Sequence, residues 1–159
     1  MSTRREVATA LLGLPVIAGA VKPGLNPYSE AAARIISYTL YAEARGEPFK
    51  GKMAVAAVIQ TRARRAAISL TEACLQDKQF SCWNELTDVP GFYTAGEGLK
   101  PDDLQARSDC YGIAWVLMTS PRKWEYLTHF YNPSKATPSW AAELRGTRTI
   151  GKHVFGFID

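Results

Sequence analysis

The amino-acid sequence predicts a mainly helical α+β domain with a small antiparallel sheet near its C-terminus. Three observations carry that expectation. From about residue 30 to residue 118, apolar side chains recur at helical spacings. Clusters of Gly, Pro, Asn and Asp divide this region into segments of helix length. Beyond Leu127 the pattern shortens to strand-sized runs around Gly151-Lys152. With 159 residues, 47% of them apolar and 21% charged, the chain can bury a core of its own as one domain. The net charge of +4 favours approach to an anionic polymer and does not choose among nucleic acid, anionic lipid and cell wall.

Residues 1–27 read as an export-signal-like arm and linker, and residues 28–159 as the domain proper. Arg4-Arg5 precedes an apolar run from Val7 to Ala20, and Ala18-Gly-Ala20 has the small-x-small form of a signal-peptidase site. Ser2-Thr-Arg-Arg5 is similar to a twin-arginine signal, from which Glu6 and the missing Phe-Leu depart. The run is short and is broken by Gly13 and Pro15, so the alternative to an export signal is a retained arm with weak membrane contact through residues 7–20. Val21 to Pro27 forms the linker.

Ser29 is the expected N-cap of a first helix, about Glu30 to Arg45, which Gly46 stops and Pro48 keeps from resuming. Met53 to Ile59 is apolar on every side and belongs to a helix at the centre of the core, ending in Arg62, Arg64 and Arg65. Ser69-Leu-Thr-Glu72 fits a capping box and opens a short helix to about Asp77. Lys78 to Gly98 reads as a long loop loaded with Phe80, Trp83, Phe92 and Tyr93, a composition suited to a binding site. Pro101-Asp-Asp starts a further helix that Ser120-Pro121 stops, with Leu104, Tyr111, Trp115 and Met118 as its core stripe. Leu127 to Tyr131 is a strand, Thr137-Pro138 starts a brief helical turn through Leu144, and Thr147–Ile150 with His153–Ile158 forms a hairpin about Gly151-Lys152.

Several chemistries find no support. There is no phosphate-cradling glycine loop and no Gly-x-Ser-x-Gly elbow. The arginines lack interleaved aromatics, so nucleic acid is not an expected partner. Glu125, His129 and His153 are the conceivable metal ligands, but they straddle a helix-to-strand change where their spacing loses meaning; neither a metal nor another cofactor is expected. Cys82 with His129 as base would make a nucleophile, yet its neighbours Phe80 and Trp83 argue for a packed thiol. Cys74, Cys82 and Cys110 allow one bridge and an odd thiol, or three free buried thiols.

Carboxylate chemistry remains. Ile36, Thr39, Leu40 and Glu43 share one helix face. A carboxylate there loses hydration and meets the negative end of the helix dipole, and both effects raise its pKa as a general acid requires. The same position also suits a glutamate turned to solvent at a frayed end. Glu47, Glu85, Asp88 and Glu97 are the carboxylates available as partners, and Trp83, Tyr93 and Tyr131 offer flat faces for sugar rings or for core packing.

The stretch Tyr41-Ala-Glu-Ala-Arg-Gly-Glu-Pro48, followed by Gly51-Lys-Met-Ala-Val-Ala-Ala-Val-Ile59, resembles the signature of SleB-type cell-wall hydrolases, the spore-cortex-lytic family. Gln79-Phe-Ser-Cys-Trp83, Thr128-His-Phe-Tyr-Asn-Pro133, Pro138-Ser-Trp140 and Ile150-Gly-Lys-His-Val-Phe155 follow in the family's order. The resemblance implies a lysozyme-like fold and cleavage of the N-acetylmuramic acid to N-acetylglucosamine bond, with Glu43 as the catalytic acid. It implies a lytic transglycosylase first. The alternatives are a hydrolytic muramidase of the same fold and a non-catalytic wall-binding or virion-structural module. By position in matching motifs, Gln79, Ser81, His129, Tyr131 and Glu47 are the substrate-binding candidates. For Gln79, Ser81 and His129 the alternative is a structural hydrogen bond that shapes the cleft. For Glu47 the favoured reading is the structural one, holding Arg45 or a loop amide in place, and Trp83 and Trp140 read as packing residues. The implied partners are peptidoglycan glycan strands, acted on by a monomer unless it is built into a virion or wall complex. The implied location is exported, in the periplasm or cell wall, or on the phage side as a lysis or virion-associated protein.

Overall fold

Ser29 opens the first helix through its side chain, which accepts the Ala32 N–H at 3.2 Å. The computed structural model describes residue 26 and residues 28–84, 101–120 and 123–159. The export-like arm and nearly all of the linker lie outside the described residues, as do Glu85, Asp88, Tyr93 and Glu97. Helix α1, Glu30–Ala44, buries Ile36, Thr39, Leu40 and Tyr41. Its end differs from the expected glycine stop. Gly46 does not take the left-handed conformation, which among described glycines belongs to Gly146 and Gly151. The chain turns instead on the Glu47 N–H, which bonds the Ala44 carbonyl at 3.0 Å, and Pro48 caps the next helix.

Helix α2, Phe49–Ala66, is the central element, with Ala54 through Ile59 all buried. Full burial of Val55, Val58 and Ile59 stabilises the fold by about 1.5–3 kcal/mol each. Lys52 is buried as well. Its Nζ donates to the Glu47 carbonyl at 2.9 Å and pairs with Asp109 at 3.1 Å, which ties the α1–α2 turn to the helix bearing Asp109. A capping box at Ser69 and Glu72 opens α3, Leu70–Leu75. Within the segment read as a loop, Ser81–Asn84 is a one-turn helix, α4.

Helix α5, Pro101–Thr119, packs on α1 and α2. Its buried face keeps only part of the stripe expected from the sequence: Met118 is buried and Trp115 packs against the core. Leu104 is 44% exposed and Tyr111 38% exposed. Ala106, Cys110, Ile113, Ala114, Leu117 and Met118 face inward. Small residues let α1 come close, and the aromatics move to the flank, where the Tyr111 hydroxyl donates to Glu30.

The C-terminal part is a three-stranded antiparallel sheet in the order β1-β3-β2, made of β1 His129–Tyr131, β2 Arg145–Ile150 and β3 His153–Phe157. A short 3-10 helix, Ser139–Glu143, precedes β2 where a helical turn was expected. Phe130 stacks on Phe155 with ring centres 5.6 Å apart, so one face of β1 joins the core. The β2–β3 turn has glycine first: Gly151 has φ +60° and lies between the paired residues Ile150 and His153.

Candidate active site

Glu43 lies in the last turn of α1, half-buried, on the face that carries Thr39 into the core. The backbone N–H and the hydroxyl of Ser81 stand near its carboxylate as donors that favour the charged form. Burial pushes its pKa above the usual glutamate range. The two Ser81 donors and the positive charges of Arg62 and Lys135 pull it partly back, and the net displacement is upward. A proton held more tightly than usual, beside donors that also suit the charged form, lets the group both give and recover a proton.

Local packing places Ser81. Trp83, two residues on in α4, donates its indole N–H to Thr39 Oγ1 at 2.9 Å and packs its ring 4.9 Å from that of Tyr38. Thr39 Oγ1 in turn donates to the Ile35 carbonyl at 2.8 Å. Trp83 is thus the packing residue that the sequence suggested, and it fixes α4 against α1. Arg62 of α2 holds the other side. Its Nε donates to the Thr128 carbonyl at 3.1 Å, one Nη to the Gln79 carbonyl at 3.4 Å, and its guanidinium lies 5.1 Å from the Phe80 ring centre.

The other sequence-predicted residues fall into two groups. Gln79 and His129 line a cavity of about 250 Å³ with Arg62, Arg65, Gln76 and Thr128. His129 and Tyr131 share a face of β1, and both meet Trp140, at ring-centre distances of 4.8 and 5.8 Å. Trp140, read from the sequence as packing, is half-buried and forms one aromatic wall with the two candidates. Burial, reinforced by the charges of Arg62 and Arg65, holds the His129 pKa below its usual value, so the ring is neutral near pH 7. Its Nδ1 shares a hydrogen bond with the Thr128 hydroxyl at 2.8 Å.

Glu47 stands apart from the other candidates, bound to the β2–β3 turn. It is 6% exposed, its Oε2 accepts the Lys152 N–H at 2.8 Å, and its Oε1 lies 3.2 Å from His153 Nδ1. These contacts commit the carboxylate to the hairpin. The loop amide weighed as its alternative partner is that of Lys152. The conceivable metal ligands disperse in the same way: Glu125 pairs with Arg148, His153 faces Glu47 and His129 faces Thr128. All three cysteines are free and buried. Burial pushes the Cys74 and Cys110 thiols up to about 12 and Cys82 higher still, so Cys82 is not an activated nucleophile. A larger cavity, of about 780 Å³ between α2, α5 and β2, contains none of the catalytic or substrate-binding candidates.

Two residues at the site escaped sequence reading. The sequence presents Arg62 as a helix-end cation, although Val55, Val58, Ile59 and Arg62 continue one helical face, and a cation extending a buried face is the available signal. Lys135 acts on Glu43 from the turn after β1, a proximity that no local pattern announces.

Known proteins are similar to this chain in sequence and in fold. Residues 46–156 match the family described as Cell Wall Hydrolase, a match that begins just after Glu43. The spore cortex-lytic enzyme of Bacillus cereus is 28% identical over 132 residues, 82% of this chain and 46% of that protein. The enzyme of the same name from Bacillus subtilis is 26% identical, over 80% of this chain and 38% of its own length. The chain thus spans less than half of these curated relatives. Among solved structures, the catalytic domain of the germination-specific lytic transglycosylase SleB from Bacillus anthracis superposes with TM-score 0.55 at 24% identity, covering 84% of this chain and all of that domain. The Bacillus cereus SleB catalytic domain gives 0.57 at 23% identity over 86% of this chain, so the lysozyme-like expectation resolves to the fold of these domains. With more than half of its length matched by the family, the chain belongs to the cell wall hydrolases.

Proposed function

We propose that this domain cleaves the N-acetylmuramic acid to N-acetylglucosamine bond of peptidoglycan as a lytic transglycosylase, with Glu43 as single acid and base. The observation that carries the reading is the environment of Glu43: a half-buried carboxylate at a helix end, its pKa raised by burial, with both donors of Ser81 beside it. The Glu43 carboxyl protonates the bridging oxygen as the bond to muramyl C1 breaks. The carboxylate left behind takes the proton of the muramyl C6 hydroxyl, whose oxygen closes on C1. The products are a 1,6-anhydro-muramyl end and a free hydroxyl on the departing sugar, with no water consumed. One carboxyl suffices for this sequence of steps. Among the described residues the charged side chains that favour ionised Glu43 are both cationic, Arg62 and Lys135. A double-displacement or inverting hydrolysis would ask for a second carboxylate instead.

Gln79, His129 and Tyr131, with Trp140 behind the last two, form the surface on which we place the glycan strand. Ser81 serves the acid rather than the sugar. The net charge of +4 suits an anionic wall polymer. An exported site of action, at the wall of the producing cell or of a phage host, follows from the substrate. Glu43→Gln tests the assignment, because the amide keeps the shape and cannot donate a proton. The variant is expected to fold and to leave purified sacculi uncleared. Clearing at the wild-type rate would overturn it.

A further inference from the structure

Arg62 joins the elements that build the site, and the reaction as written above gives it no role. Its guanidinium bonds the Thr128 carbonyl just before β1 and the Gln79 carbonyl in the turn that leads to Ser81, and it covers the Phe80 ring between them. Gln79 and Ser81 are separated by one residue, so a hold on the Gln79 carbonyl is a hold on the two donors that Ser81 presents. The same group brings positive charge to Glu43. A planar fork suits this task, since it can reach two carbonyls in different directions and a lysine ammonium cannot match that geometry.

We propose that Arg62 is a positioning residue for Glu43. It clamps the Gln79–Ser81 turn to the start of β1, keeps the Ser81 donors aimed at the carboxylate and stabilises the carboxylate that forms once the proton has been given away. The proposal rests on Glu43 being the acid. Among the described residues, the groups that face Glu43 are Arg62 from α2, Ser81 and Cys82 from α4, and Lys135 from the turn after β1. Cys82 stays neutral throughout the working range. Lys135 supplies charge without a hold on Ser81, so Arg62 alone among them couples charge to geometry.

The test uses Arg62→Gln and Arg62→Lys, with initial rates on sacculi followed against pH and the Glu43 carboxyl titrated by 13C NMR. Loss of the positive charge disfavours the carboxylate, so Glu43 in Arg62→Gln is expected to titrate about half a pH unit or more higher. The alkaline limb of kcat/KM then moves up with it, and kcat falls roughly tenfold or more as Ser81 loses its aim. Arg62→Lys is expected to keep the limb near its wild-type position while kcat still falls. A folded Arg62→Gln with the wild-type titration and limb overturns the proposal. Should Arg62→Gln fail to fold, Arg62→Lys decides: a lowered kcat at an unmoved limb supports the clamp, and a wild-type kcat overturns it. Glu43→Gln measured alongside separates the two ideas, since activity there removes Glu43 as the acid whatever Arg62 does.

Discussion

Glu47→Ala distinguishes a carboxylate that holds the fold from one that holds the wall. The native side chain is 6% exposed and reaches from the α1–α2 turn to the β2–β3 turn, 2.8 Å from the Lys152 nitrogen and 3.2 Å from His153 Nδ1. Truncation strands the Lys152 N–H, which costs about 1–3 kcal/mol. For a domain of this size, about 1 kcal/mol moves Tm by roughly 3 °C, so the transition is expected about 3–9 °C lower. Thermal unfolding by circular dichroism reads the shift, and sacculus clearing at 20 °C reads the function of the molecules still folded. The expected result is a large fall in Tm with clearing per folded molecule unchanged. An unmoved Tm with lost clearing would make Glu47 a wall contact and refute the reasoning.

Gly151→Ala strikes the same joint from the other side. A Cβ there would lie 1.9 Å from Glu47 Oε2, and φ is already +60°, so a loss of about 2–4 kcal/mol is expected, seen as a lower denaturation midpoint. Glu43→Gln is expected to stabilise the protein at neutral pH. The folded pKa of Glu43 lies above its unfolded value, so between the two values the folded state binds the extra proton. Stability due to this group is therefore full below the unfolded pKa and falls as pH rises through the folded one. The Tm gain of the variant should be present at pH 7 and vanish near pH 4; equal gains at both would contradict the assigned cause.

Local chemistry made much of the fold legible. Ser29, the Ser69–Glu72 capping box and Gly151-Lys152 satisfy or bend the backbone within a few residues, so their geometry is written in adjacent letters. The buried centre of α2 was legible because Met53 to Ile59 leaves no polar face to turn outward. Helix α5 misleads because bulk is not the same as burial. Ala106, Cys110 and Ala114 win the inner face by letting helices approach, and the larger Leu104 and Tyr111 are left outside. At the site, the helical face placing Glu43 beside Thr39 was readable. The Ser81 donors, the Arg62 clamp and the reach of Lys135 are not, since each joins segments distant in sequence. The motif that contains Glu47 pointed to a substrate contact, and only the hairpin folded against it shows where that carboxylate is used.

Mass spectrometry of the fragments released from purified sacculi tests the central claim most directly, with the wild-type domain and Glu43→Gln run side by side. Proton transfer by Glu43 with ring closure predicts 1,6-anhydro-muramyl ends from the wild type and none from the variant. Reducing muramyl ends from the wild type, or anhydro ends surviving in Glu43→Gln, would contradict it.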